Sequence, residues 1–207
     1  MKDFSSFIEL SPTDLAVALP RDRVMDLGIR PLWQPMPRIA GPAYTVLCPA
    51  GDNLMLHAAI YRAEPGSIIV VEAGDVDYAV SGGNVCAVAK RRGIAGFVVD
   101  GVIRDLAEVR ENGFAVFARG VIPKPGVKDQ LGILNDTVHC GGVAVSPGDI
   151  VVADEEGIVV VPKSEREAVL KKAQARVAKD KAQDLDAWEA EHHERIEAIL
   201  KEKGFSE

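Results

Sequence analysis

Between Ser67 and Phe117 the chain repeats one pattern, and that pattern limits the fold more than any other feature. Ser67-Ile68-Ile69-Val70-Val71 follows the turn Pro65-Gly66, is β-branched throughout, and reads as a strand buried on both faces. Asn84 to Arg92 reads as a helix stopped by Gly93, and Ile94 to Val99 as the next buried strand, ended by Asp100-Gly101. Arg104 to Asn112 reads as a second helix, stopped by Gly113, and Phe114 to Phe117 as a short strand. Parallel strands need long crossovers, and each gap here is the length of one helix. The expectation is an α/β domain with a partly parallel sheet.

The flanking segments read differently. Val143-Ala144-Val145, Ile150-Val151-Val152 and Ile158 to Val161 are short apolar runs split by Pro147-Gly148 and Asp154-Glu155-Glu156-Gly157, which is turn chemistry. They predict an antiparallel meander packed on the first sheet. From Ser164 the composition shifts. Ser164-Glu165-Arg166-Glu167 has the form of a capping box, and no Gly or Pro follows until Gly204. Leu185, Trp188, Ile196 and Ile199 recur at helical spacing, so the tail reads as a long helical arm that covers its own body or a neighbouring subunit. The expected division is a domain at 1–162 and an arm at 163–207.

Composition narrows the function classes. Lys and Arg number 24 against 31 Asp and Glu, a net charge of -7, so affinity for a phosphate backbone is not expected. With 5% aromatics, stacking platforms for single-stranded nucleic acid are not expected either. Cys48, Cys86 and Cys140 are odd in number and lack metal-ligand spacing, which suits a reducing compartment. No apolar run reaches the length of a membrane span, and Met1 to Asp14 lacks the apolar core of a signal peptide, so the expected location is the cytoplasm.

Most familiar catalytic motifs are absent, including G-x-S-x-G, Walker A and H-E-x-x-H. Two features stand out instead. Ser81-Gly82-Gly83-Asn84 leads directly into a helix, where unpaired amides and the helix dipole can hold a carboxylate; taken alone, an ordinary turn is the plainer reading. Arg104-Asp105 follows a buried strand, where α/β proteins place ligands. There an Arg can grip a carboxylate with paired hydrogen bonds and an Asp can hold a hard cation; a helix cap with a surface ion pair is the plainer alternative. Neighbouring parallel strands would bring both features to one cleft.

The pattern Gly83-x20-Arg104-Asp105-x2-Glu108, within GGNVCAVAKRRGIAGFVVDGVIRDLAE, resembles the RraA-like proteins, which include the metal-dependent 4-hydroxy-4-methyl-2-oxoglutarate and 4-carboxy-4-hydroxy-2-oxoadipate aldolases. The resemblance runs from Gly41 to Pro162 and includes Gly51-Asp52-Asn53 and Gly148 to Asp154. It implies a swivelling β/β/α fold with layered sheets, trimers or hexamers, and active sites between subunits. It further implies Mg²⁺ or Mn²⁺ on Asp105, a pyruvyl carboxylate on Arg104, substrate oxygens on the amides of Gly82, Gly83, Asn84 and Val85, and a supporting role for Glu108. The implied activity is cleavage of a 4-hydroxy-2-oxo di- or tricarboxylic acid to pyruvate, with oxaloacetate decarboxylation as a side activity. Both reactions pass through pyruvate enolate. Two departures are visible: Gly83 replaces an Asp common among relatives, and Leu185 to Glu194 differs from the Met-Tyr-containing tail of the characterised aldolases. In those enzymes the tail lends acidic residues to a neighbour's site, a role open here to Glu189, Glu191 or His192.

Other residues hold open alternatives. His57 reads as a site histidine or a packed one, Asp52 as a site residue or a helix cap, and Asp75 and Asp77 as site carboxylates or turn formers. His139 and Cys140 read as a loop, and His192-His193 as a helix face. A Schiff-base mechanism would need a desolvated lysine, whereas Lys90, Lys124, Lys128 and Lys163 read as surface or loop residues. The alternative function is that of the family's namesake, a regulator that binds and inhibits a ribonuclease; Asp105 favours the enzyme. A methyltransferase reading lacks a nucleotide-binding glycine loop.

Overall fold

The structure, a computed structural model, describes residues 4–205; the ends of the expected segments at 1–3 and 206–207 lie outside the described residues. Two short helices, α1 (Ser5–Ile8) and α2 (Pro12–Ala16), come first. α2 starts at a capping box in which the Ser11 side chain accepts from the Asp14 amide and Asp14 accepts from the Ser11 amide. Strands β1 (Arg30–Pro31) and β2 (Ile39–Leu47) follow, then helix α3 (Leu54–Ala59) and strand β3 (Ile68–Glu72). The repeat read from the sequence becomes α4 (Gly83–Arg91), β4 (Gly96–Ile103), α5 (Leu106–Glu111) and β5 (Val116–Val121). β2, β3, β4 and β5 pair in parallel in that spatial order, with β1 antiparallel on β5. β3 and β4 are buried along almost their whole length, as strands covered on both faces must be.

The remaining strands are β6 (Ile133–Leu134), β7 (Val138–Cys140), β8 (Val143–Val145), β9 (Ile150–Asp154) and β10 (Gly157–Val161). β2 carries three partners along its length: Ile39 to Pro42 pair antiparallel with β9, Ala43 to Leu47 pair parallel with β3, and Val46 and Leu47 also pair antiparallel with β6. This one strand therefore joins the α/β half to the β9–β10 hairpin. The expected meander is corrected in one respect. β8 pairs with β7 in a separate two-stranded sheet rather than with β9, because the Gly141-Gly142 turn, both residues at positive φ, closes that hairpin first. His139 and Cys140 are accordingly strand residues, not loop.

The core forms three layers. α3, α4 and α5 cover one face of the central sheet, burying Leu56, Cys86, Phe97 and Val109. The β7–β8 hairpin and the segment around Met25 and Ile29 cover the other. The β9–β10 hairpin is covered by α1, α2 and the first tail helix through Leu15, Val159 and Val169. This is the mixed α/β architecture expected, with layered sheets and C-terminal helices.

Two local expectations change. Asp100-Gly101 does not end its strand; β4 continues to Ile103 through a register shift between Val99 and Val102. Gly101 permits this because a Cβ there would collide with Ala73. The tail is not one helix but two, α6 (Arg166–Ala182) and α7 (Leu185–Glu202). Asp184 accepts from the Ala187 amide at 2.8 Å and so caps a new helix where the sequence pattern showed no break. The Ser164 capping box does not form, since the turn before Arg166 leaves Glu165 as the cap, with no side-chain bond. α7 buries none of its residues, and Leu185 remains 74% exposed. Among the described residues, no helix is long and apolar enough to cross a membrane.

Candidate functional site

β3 and β4 are parallel neighbours, so the loops that leave their carboxyl ends lie side by side. The Arg104 amide donates to the Ser81 carbonyl at 2.9 Å, which stitches the two loops together. Asp105 takes a left-handed backbone conformation, φ 58° and ψ 40°, which Asp tolerates better than most residues. Its side chain thereby turns back onto the start of α4, where Oδ2 accepts from the Gly83 amide at 3.2 Å and lies 3.3 Å from Arg104 Nε. The two glycines beneath are buried and have no room for a side chain. A Cβ on residue 82 would strike the Asp105 carboxylate, and one on residue 83 would strike the Glu108 carboxylate. Gly82-Gly83 is thus a cradle for two carboxylates. The sequence-expected residues Gly82, Gly83, Asn84, Val85, Arg104, Asp105 and Glu108 are brought together here.

A cleft of about 100 Å³ opens beside this cradle. Its other wall combines Asn53 and His57, at and in α3, with Pro125, Gly126 and Lys128 from the loop after β5. Burial, and then the charges of Lys128 and Arg104, push the His57 imidazole down to about 4, so it is neutral at ordinary pH. Asn53 is 5% exposed; its Nδ2 donates to the Gly126 carbonyl at 3.2 Å, while its Oδ1 is buried without a partner. Orphaned acceptors of this kind are rare in native cores and mark places where a ligand or water completes the bonding. Lys128 is exposed and, among the described residues, forms no ion pair.

Among the described residues, no group of three or more His, Cys, Asp and Glu side chains could hold a metal ion. A Mg²⁺-type ion keeps most of its waters and needs only one or two carboxylates. Asp105, which lines the cleft, suits that demand, with Glu108 packed against the adjacent glycine of the cradle. A thiolate nucleophile is a poor fit. Burial pushes Cys48 up to about 11, Cys86 up to about 12 and Cys140 well above the ordinary thiol range.

The other candidates lie elsewhere. Asp75 accepts from the amides of Gly51, Asp77 and Tyr78, which makes it a turn former, and Asp77 is exposed. Asp52 accepts from the Leu54 amide at 2.8 Å at the start of α3. His139 donates its backbone N–H to Glu72, outside the cleft. Lys124 sits over the Tyr78 ring at 3.7 Å, Lys90 bonds the Asn112 carbonyl, and Lys163 is exposed. In the tail Glu189, Glu191 and His193 are exposed, and His192 stacks on Trp188 at 4.6 Å beside a groove between α6 and α7. Lys128 and the Pro125-Gly126 step were missed as cleft residues in the sequence. The available signal was their place after β5, at the same carboxyl-end edge as the loops after β3 and β4.

A family model described as RraA-like, Aldolase/RraA, matches residues 13–160. A protein from Halalkalibacterium halodurans named "Putative 4-hydroxy-4-methyl-2-oxoglutarate aldolase" is 43% identical over 71% of this chain and 70% of its own. A protein of the same name from Burkholderia multivorans is 36% identical over 67% of this chain and 84% of its own. Among solved structures, Streptomyces coelicolor RraAS2, described as an unusual member of the RNase ES inhibitor RraA protein family, superposes with a TM-score of 0.76. It is 31% identical over 86% of this chain and 93% of its own. Together with the layered α/β fold, these matches show that the chain belongs to the RraA-like family.

Proposed function

We propose that this protein is a divalent-metal-dependent carbon–carbon lyase. It cleaves a 4-hydroxy-2-oxo di- or tricarboxylic acid to pyruvate plus a 2-oxo acid, and it decarboxylates oxaloacetate as a side activity. The observation that carries the reading is the bond from the Gly83 amide to Asp105 Oδ2, which joins the acid, the adjacent Arg104 and the start of α4 in one cleft. The aldolase names of the relatives support it.

Each residue has a task in this reading. The Arg104 guanidinium, half exposed, grips the carboxylate next to the substrate's carbonyl with paired hydrogen bonds. The Asn84 and Val85 amides lie in the first turn of α4, where no intrahelical acceptor exists, and donate to substrate oxygens. Asp105, with Glu108 in support beside Gly83, would hold Mg²⁺ or Mn²⁺. When bound, such an ion polarises the 2-oxo carbonyl and stabilises the negative charge that develops there. The C3–C4 bond then breaks with its electron pair on the pyruvyl fragment: a 4-hydroxyl gives its proton to water as its carbon becomes a carbonyl, or a 4-carboxylate leaves as CO₂, and C3 takes up a proton from water to give pyruvate. Lys128 faces the second carboxylate from the opposite wall, and neutral His57 lines the path between them.

We further assign the protein to a cytoplasmic homotrimer or hexamer in which the exposed apolar stripe of α7 meets a neighbouring subunit. The test of the whole reading is pyruvate release from oxaloacetate and from a panel of 4-hydroxy-2-oxo acids, with and without Mg²⁺. Metal-dependent turnover that disappears in Asp105→Ala is expected; undiminished turnover in that variant would sink the assignment. The second reading, a ribonuclease-binding regulator, is favoured by the likeness to RraAS2. It would prevail if the protein held a ribonuclease tightly in a pulldown and released no pyruvate with metal.

A further inference from the structure

Asp52 is 1% exposed, yet among the described residues no cation pairs with it; its oxygens are occupied by backbone amides. Oδ1 accepts from Leu54 at 2.8 Å, at the first residue of α3. Oδ2 accepts from Asp129 at 2.6 Å and from Gln130 at 2.9 Å, in the loop just past Lys128 on the same wall of the cleft. The loop is sewn to the body by backbone bonds as far as Val127 and again from Ile133, where β6 pairs with β2. Ala79 donates to Lys124, Gly126 to Ala79, Val127 to Gly51, and Asn53 to Val127, all between 2.8 and 3.1 Å. Beyond Val127, the described hydrogen bonds that anchor residues 129 and 130 are the two to Asp52. Lys128, which lines the cleft, lies between these anchors.

We infer that Asp52 is a positioning residue that holds Lys128 over the cleft and so sets its preference for an acid carrying a second, distal carboxylate. Its carboxylate acts on substrate only through the loop it anchors. Burial opposes ionisation of Asp52, but the three amides and the nearby Lys128 charge hold its carboxyl below the usual carboxylate range, so the anchor is charged at neutral pH. A neutral amide in its place has one acceptor oxygen for three donors, so its NH2 must face either Leu54 or the Asp129–Gln130 pair, and the anchor loses its charge and at least one bond.

This inference rests on the reading of the cleft as a 2-oxo acid site. It is tested by calorimetric binding of pyruvate, which has one carboxylate, and 2-oxoglutarate, which has two and lacks the 4-hydroxyl, both with Mg²⁺ present. In Asp52→Asn the affinity for 2-oxoglutarate is expected to fall about tenfold and that for pyruvate less than about twofold, the scale of one charge-assisted contact. Lys128→Met should show the same selective loss, and Asp52→Asn added to Lys128→Met should cost nothing further. Amide hydrogen exchange at Asp129 and Gln130 should accelerate in Asp52→Asn. Equal losses for both acids, or a full additional loss in the double variant, would overturn the inference. Asp52→Ser, which keeps a hydroxyl near Leu54, is the second variant if Asp52→Asn does not fold; failure of both makes Asp52 a folding residue and also overturns it. Wild-type protein that binds neither acid overturns the functional reading, and this inference falls with it.

Discussion

Two charged clusters lie along β4, one around Asp100 within the strand and one at Arg104 just past its end, and they differ in what is left unpaired. Around Arg119, every oxygen in reach is engaged. Its guanidinium bonds Asp100 and both oxygens of Asp26, Gly28 donates to Asp26, and Gly141 donates to Asp100. Those two carboxylates raise the Arg119 value further, and Arg119 holds Asp26 below the usual range. Around Arg104 the balance is open. Its contact with Asp105 is long at 3.3 Å, Lys128 has no ion pair among the described residues, and the Asn53 amide oxygen is orphaned. The first cluster ties β4 and β5 to the Asp26 loop and the β7–β8 hairpin; the second has bonding capacity to spare. Unmet valence, more than charge as such, separates a candidate site from a structural clasp.

That contrast can be broken from either side. The largest effect is expected for Arg104→Ala, which should lower kcat/KM for oxaloacetate by about 10²-fold, the scale of one lost preorganised donor, with the melting temperature almost unchanged. Steady-state kinetics beside a melting curve checks this; a comparable fall in stability would place Arg104 with the clasp. Arg119→Ala should do the reverse. It leaves Asp26 and Asp100 facing each other unpaired, and because these groups are partly exposed the cost is about 1–2 kcal/mol in denaturant unfolding, with turnover per folded molecule retained.

Gly83→Ala introduces the Cβ that strikes Glu108, and should reduce turnover about tenfold by displacing a supporting carboxylate. Gly83→Ala with Glu108→Ala removes the carboxylate contact but leaves the residue 108 Cβ at 2.9 Å, so it should recover part of the stability lost in the single variant without recovering full turnover. The smallest effect concerns acid. The His57 value is lowered in the folded state, so the unfolded chain binds a proton that the folded chain refuses. Stability is full above the ordinary histidine value near 6.5 and declines as pH falls toward about 4. His57→Asn should flatten that part of the pH–stability curve, and equal acid sensitivity in the variant would remove His57 from the account.

Much of the fold was legible because its signals are local. β-branched runs, glycine stops and helix-length gaps give the parallel core directly, and strand adjacency then brings Gly83 and Arg104-Asp105 together. The errors arose where one residue serves two purposes. Asp100-Gly101 has turn chemistry, but in the sheet Gly101 yields a bulge against Ala73, and Asp100 is spent on Arg119. Asp184 sits in a pattern that reads as continuous helix, yet its carboxylate caps a new one. In the site, the half carried by contiguous sequence was readable. His57 was also readable as a site candidate, but the part supplied by Gly126 and Lys128 depends on a loop returning to α3, a tertiary event with no periodic signature.

The left-handed backbone at Asp105 has an evolutionary consequence. Asn, Asp and Gly are the residues most at ease at such dihedrals, so few replacements are admitted there without remodelling the turn. Among those few, a change to Asn or Gly deletes the negative charge while preserving the path of the chain. A single step of that kind at this position would remove the proposed metal ligand and leave the scaffold intact.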